Sequence, residues 1–401
     1  MDGNEILHEI DRNGDFELVL HNPNAPFAVW VDDQDTVSPS KKKRKYSTAF
    51  GGDPSLFDSV DPGKSIEPQP QGLPIERTSA GAPTSQTCPN EPAVFNQGNQ
   101  KGTVRFRLSS KHLAFASSYF DKAMRNLGKQ QKGYTIHTYG WDPDALLILM
   151  NVIHGRHAEV PRKLELEKIA KIAVLVHFYS CHEVVEFCAE RWTTNLKTTF
   201  PKEYGRSLVL WLAVGYVFCR KSIFQLMTMV AVKTSQGPLQ ALTLPIPLDV
   251  IGKQHQGFHI NTQRLTSYPD TIEQRRQDAL DKMITRLHDL TIYFSDKREK
   301  CSFECSSMLL GAITSQMQSK GLLNPSPVRP FSGYSISGVA ATMRSFNSPK
   351  WADNDDIRPG VNPFGGIRAQ PVSVHKCKLG TFIEAVIKDV EDGIEGMELP
   401  V

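Results

Sequence analysis

Val104–Phe120, VRFRLSSKHLAFASSYF, changes its hydrophobic period partway along, and that change decides the fold class. Val104, Phe106 and Leu108 alternate with Arg105, Arg107 and Ser109, the period of a half-buried strand. From Leu113 through Phe115 to Phe120 the spacing becomes helical, with Ser109 or Ser110 placed to cap the turn between the two patterns. Downstream, Ala145–Val160 (ALLILMNVIHGRHAEV) puts Leu146, Leu149, Met150 and Ile153 on one helical face and then breaks at Gly155. A strand feeding capped helices, with more helical periods to follow, predicts an α+β chain: a short sheet flanked by helices, then an all-helical region.

Upstream, residues 14–21 (GDFELVLH) alternate as a second strand, with Phe16, Leu18 and Leu20 on one face. Asp11, Asn13 and Asp15 before it have calcium-loop spacing. That loop needs Gly where Phe16 stands and Glu where Asn22 stands, so Asn13-Gly14 reads as a turn. Residues 22–100 are rich in Pro, Gly, Ser, Gln and Asn and carry no sustained period. Such a segment buries too little surface to offset an ordering cost of ~1–2 kcal/mol per residue, and is expected to be disordered, with local pairing of PFAVWV at 26–31 as the exception. It separates two strands expected to pair, so it reads as a long insertion in a hairpin, a cost that grows only logarithmically with length.

Downstream, residues 134–138 read as a short edge strand and Asp142-Pro143 as a helix start. Helical periods follow at 143–153, 164–179 and 181–196. Ser180 and Glu183 are spaced as a capping box for the last of these, whose inward stripe is Val184, Val185, Phe187, Cys188 and Trp192. Ser207–Phe218 is apolar all round, which predicts a central helix. Residues 223–232 are amphipathic, and Leu280, Met283, Leu287, Leu290 and Phe294 form the stripe of a long helix at 270–297. That stripe suits a coiled coil or a helix packed on its own domain, and its length favours the second. One helical patch at 306–322, a Pro/Gly/Ser stretch at 324–371 and a short helix near 379–390 complete the chain. The division expected is 1–21 (first strand region), 22–100 (insertion), 101–197 (core), 198–323 (helical extension) and 324–401 (largely irregular tail).

The order of these motifs resembles fungal BTB (POZ) domain proteins with a helical C-terminal extension. The residues that carry the resemblance are Asp15 at the strand opening, Ser110-Lys111-His112-Leu113, Ser117 and Phe120, then Ile153-His154-Gly155-Arg156 and Val160-Pro161. What the resemblance implies is a BTB core that dimerises and binds other proteins, so a non-enzymatic interaction module acting as scaffold or regulator. The alternatives are a substrate receptor on a cullin scaffold of a ubiquitin ligase, or an enzyme. One departure stands out. Many BTB domains place a basic residue where Ser110 stands, making a charged pocket with the strand Asp. Here Lys111 is one position on, which puts a partner of that pocket in doubt.

The remaining features narrow the function. A net charge of +3 is close to balance, so nothing global calls for nucleic acid, and direct nucleic-acid binding is not expected. The longest apolar run, Leu208–Phe218, falls short of the ~20 residues a bilayer needs, and the first residues lack the pattern of a signal peptide. Seven scattered cysteines do not form a disulfide framework. The run Lys41-Lys42-Lys43-Arg44-Lys45 keeps five adjacent cations solvated and resembles a monopartite nuclear-import signal, which implies an import receptor as partner and the nucleus, with the cytoplasm second, as location. The bland reading of that run is a solvated basic patch. Cys301, Cys305, His375 and Cys377 are ligand types that suit tetrahedral zinc, so a structural zinc is the one cofactor considered. Ordinary packing is the favoured alternative, because His-x-Cys is tight for two ligands on one ion. Catalytic patterns do not form: Gly333-Tyr334-Ser335-Ile336-Ser337 fails the nucleophile elbow at its last position, and His154 and His157 lack the intervening Glu of a zincin.

Overall fold

The computed structural model describes residues 6–30, 102–127, 133–196, 200–251, 271–296, 301–350 and 377–400. All of these described residues belong to one compact unit. Four strands, β1 (Ile6–Glu9), β2 (Phe16–His21), β3 (Thr103–Leu108) and β4 (Tyr134–Tyr139), form a sheet of order β1-β3-β2-β4. β2 and β3 pair antiparallel, Phe16 against Leu108, Leu18 against Phe106 and Leu20 against Val104. The alternation read from the sequence therefore puts all six side chains on one buried face. On the other face Arg105 meets Glu17 at 3.4 Å and Arg107 meets Glu9 at 2.7 Å. β1, not foreseen, adds parallel to β3, and β4 closes the far edge parallel to β2. The Asp11 carboxylate accepts from the Asn13 N–H at 2.9 Å, which makes the expected turn. A Cβ on Gly14 in that turn would lie 2.4 Å from the Leu108 carbonyl oxygen, so the turn needs glycine there.

Helices α1 (Ser110–Ala116), α2 (Ser118–Leu127), α3 (Pro143–Ile153), α4 (Leu166–Tyr179) and α5 (His182–Asn195) accompany the sheet, with a 3₁₀ turn at His157–Glu159. α6 (Arg206–Val217), buried all round as its composition requires, packs between α4 and α7 (Lys221–Thr234). After the one-turn α8 (Leu248–Ile251), the long α9 (Ile272–Ser295) buries Leu280, Met283, Leu287 and Phe294 against helices of its own unit. These are α7, α8, α10 (Phe303–Ser319), α11 (Ile336–Arg344) and α12 (Leu379–Glu391). The stripe is thus spent inside the unit rather than on a coiled-coil seam. α11 lies in the Pro/Gly/Ser stretch read as irregular. Ser335 caps it by accepting from the Gly338 N–H, and Ile336, Val339, Ala340 and Met343 are buried.

Four expectations change. Phe115 is 96% exposed rather than inward. Leu113 and Phe120 do not share its helix face, because the chain turns extended at Ser117 between α1 and α2, and two residues along one helix is a rotation of ~200°. The same two-residue offset from Val185 leaves Phe187 75% exposed. Ser180 does not open α5. It closes α4 in a left-handed conformation, φ 50°, its N–H donating to the His177 and Val176 carbonyls. Finally, ordered chain runs past residue 22: the Asn24 and Ala25 N–H groups donate to the Trp141 and Gly140 carbonyls, and the Arg206 guanidinium reaches the Phe27 and Ala28 carbonyls. Trp30 packs on Tyr204 with ring centroids 5.3 Å apart, so aromatic packing reaches the end of this segment. The rest of the expected insertion, 31–100, lies outside the described residues.

Candidate functional site

The motif residues of the sequence converge on the start of α1 and α2. Ser109, the N-cap of α1, makes no side-chain cap. The cap comes from across the sheet: the Asp15 carboxylate accepts from the Ser110 N–H at 2.9 Å and from the Ser110 hydroxyl at 2.8 Å. An acceptor with negative charge at the first turn satisfies an orphan N–H and complements the helix dipole. Where a basic residue would make a charged pocket, Ser110 instead occupies Asp15 in capping. The Ser109 N–H donates to His154 Nε2 at 2.9 Å, and His154 Nδ1 lies 2.8 Å from the Met150 carbonyl. That pair of bonds requires a neutral imidazole protonated at Nδ1. Burial first, with His112 and Arg156 adding to it, outweighs the Met150 carbonyl and Asp11 and holds His154 below the ordinary histidine value. His154 is therefore a clasp between α3 and α1, not a metal ligand.

Ser117 does two jobs in the linker between α1 and α2. Its hydroxyl donates to the Tyr179 carbonyl and accepts from the Phe120 N–H at 3.2 Å, capping α2. Phe120 is fully buried, stacked on Tyr179 at 4.7 Å and edge-on to Phe16 at 5.7 Å. Leu113 is fully buried as well. With Asp15, Ser110, Leu113, Ser117 and Phe120 all committed to the frame, the side chains that α1 presents outward are Lys111, His112 and Phe115. His112 lies on His154 with centroids 5.1 Å apart. Phe115 rises from a helix fixed by Asp15 and Ser117.

The second outward element is β1. It is an edge strand, and Ile6 and Leu7 are 50% and 45% exposed. Its end is tied down by Arg156, whose guanidinium donates to the Glu9 and Ile10 carbonyls at 3.2 and 3.0 Å. An edge strand offers backbone groups for pairing along its outer side.

At the entrance to α3, Asp142 caps the helix by accepting from the Ala145 N–H and takes Lys168 at 2.7 Å and Lys171 at 3.0 Å. Burial works to raise this carboxyl, but the bonds from Lys168, Ala145 and Lys171 outweigh it, and it sits below the usual carboxylate range.

Far along the chain, the Cys301, Cys305 and Cys377 sulfurs lie within 4.8 Å of one another. Burial first, then the neighbouring Cys377 and Cys301 sulfurs, raises the Cys305 thiol. The fourth expected ligand, His375, and the basic run Lys41–Lys45 lie outside the described residues. No described helix is long and apolar enough to cross a membrane.

A small sheet flanked by helices, whose motif residues serve its frame and whose polar and aromatic remainder faces outward, is the arrangement of a protein-interaction domain. Residues 98–196 match the BTB/POZ domain family, and the chain carries that domain followed by further helices. No curated protein matches the chain. The family match begins at residue 98, so β1 and β2 lie outside it, although β2 occupies the place between β3 and β4.

Proposed function

We propose that this chain is a non-enzymatic scaffold or regulator that joins to a second copy of itself through the BTB/POZ domain and works in the nucleus. The observation that carries the reading is Phe115: a large aromatic, almost wholly in solvent, on a helix clamped at both ends by polar contacts. A fixed, exposed aromatic suits the centre of a protein interface. The exposed Ile6 and Leu7 on the edge of β1 supply more apolar surface within the same domain. Lys41–Lys45 supply the import signal.

Sedimentation equilibrium of the full chain at micromolar concentration is the test. A dimer is expected, with Phe115→Asp and Leu7→Asp each weakening association at least ~10-fold, on the scale of ~1–2 kcal/mol or more per interface anchor, while circular dichroism stays unchanged. A monomeric wild-type chain would sink the self-association reading. For location, Lys42→Ala with Lys43→Ala should shift the protein toward the cytoplasm without altering its oligomeric state. Unchanged nuclear location would reduce the basic run to a solvated patch, and copurification with a cullin would move the assignment to a ligase substrate receptor.

A further inference from the structure

We infer that Cys301, Cys305 and Cys377 form a three-thiolate site for a zinc ion that fastens the start of α10 to the start of α12. This inference stands apart from self-association and uses none of its residues.

The three sulfurs come from two places far apart in sequence, and the fold brings them within 4.8 Å of one another. A tetrahedral zinc with bonds of ~2.3 Å holds its sulfurs ~3.8 Å apart, so the cluster needs only a small contraction to grip the ion. The placement is prepared by the backbone. Ser302 caps α10 by accepting from the Cys305 N–H at 3.1 Å, which sets Cys305 in the first turn with Cys301 just before the cap. Cys377 precedes Lys378, the N-cap of α12. Cys305 is buried, Cys377 half-buried and Cys301 exposed, so the site is anchored on one side and open to an ion on the other.

The charge balance is favourable. Each thiol loses its proton to solvent as its sulfur bonds the metal, and Zn²⁺ with three thiolates carries one net negative charge. That charge sits at the start of two helices, where the aligned backbone dipoles are positive. The cation supplies what burial otherwise denies a thiolate, since a coordinating thiol is deprotonated outright. The three sulfurs fill three of the four tetrahedral positions.

The site also has mechanical sense. α10 and α12 both pack on α9, and Phe382 of α12 lies 5.1 Å from Phe294 near the end of α9. A metal bridge from Cys301 and Cys305 to Cys377 would close the α12 side of this packing covalently, where the chain returns after residues 351–376.

The test uses the full-length chain, reduced and stripped of metal, titrated with Co²⁺ and then with Zn²⁺. One equivalent of Co²⁺ should give thiolate-to-cobalt charge-transfer absorption with the visible bands of tetrahedral coordination, and Zn²⁺ should abolish both. Cys301→Ser and Cys377→Ser should each cost zinc affinity more than the roughly 10–100-fold that loss of a supporting outer partner costs. Cys219→Ser, an exposed cysteine after α6, should leave affinity unchanged. The comparison rests on Cys301 and Cys377 because neither is buried, so both variants keep the fold. Zinc should also slow amide exchange across 379–390. Absence of the charge-transfer bands, or affinity unchanged in both variants, would overturn the assignment.

Discussion

The BTB/POZ region and the C-terminal helices are held together by different means. In the first, apolar period does most of the holding: β2, β3 and α3 bury every side chain that their alternation or stripe nominates, and the polar contacts are short caps and clasps at element ends. In the second, long-range polar clamps fix segments that have little period of their own. Arg276, fully buried, is the clearest. Its guanidinium donates to Glu273 through Nε and Nη2 at 2.9 and 2.7 Å, and to the Pro330, Phe331 and Tyr334 carbonyls. Those five bonds use all five of its donors. They pin the Pro/Gly/Ser loop leading into α11. His288 Nε2 lies 2.9 Å from the Leu322 carbonyl, and the Met397 N–H donates to the Thr228 hydroxyl at 2.8 Å. A segment with weak hydrophobic pattern can be ordered if one buried cation collects its carbonyls.

That contrast breaks most sharply at Arg276. Arg276→Met keeps the length and removes the donors, leaving the Glu273 carboxylate without its cation, with only Gln277 still donating to it, and the Pro330 and Tyr334 carbonyls without the guanidinium. The expected cost is about 3–5 kcal/mol, the scale for breaking a buried ion pair by removing one partner. Urea unfolding should show it, together with faster amide exchange at 328–344. A loss below about 1 kcal/mol would mean that packing, not the clamp, orders this loop.

A middle-sized effect should come from Asp142, the most clamp-like contact of the first region. Asp142→Ala removes a helix cap and charge-assisted bonds to two lysines, together about 2–3 kcal/mol. Asp142→Asn separates charge from cap. The folded carboxyl lies below its unfolded value of about 3.9, so its stabilisation is present above that pH and is lost as pH falls through the lower folded value. The stability gap between wild type and Asp142→Asn should be constant near neutrality and close in that acid window. A gap independent of pH would remove the carboxylate charge from the account.

The smallest effect belongs to Asp15. Asp15→Ala should cost ~1 kcal/mol, a single cap, and leave the sheet intact. Asp15→Asn, which keeps an acceptor for Ser110, should recover most of it in the same unfolding measurement.

The first region was legible because its elements follow their periods. Leu18, Phe106, Leu146 and Leu149 are where alternation and the helical stripe put them. Phe115 and Phe187 were misread because apolar character suggests burial without deciding it: the register of the helix put each about half a turn away from its buried neighbours. β1 was missed because four residues, half-exposed, carry too little pattern to be distinguished from a loop. The Asp15 cap was missed because its donor and acceptor are 95 positions apart. α11 was missed because its loop has the composition of an irregular tail, and nothing local says that Arg276 collects it.

By itself the sequence determined the class of the fold, the order of β2, β3, β4 and the strongly periodic helices around the insertion, and the set of residues with chemistry to offer. Period and cap signals are local, and local rules suffice to read them. Only the tertiary structure decided which of those residues are spent on the frame and which face outward, that Ser110 satisfies Asp15, and that three cysteines meet while their sequence positions stay far apart. Those outcomes depend on how elements pack, since burial and proximity belong to pairs of elements and not to any one of them.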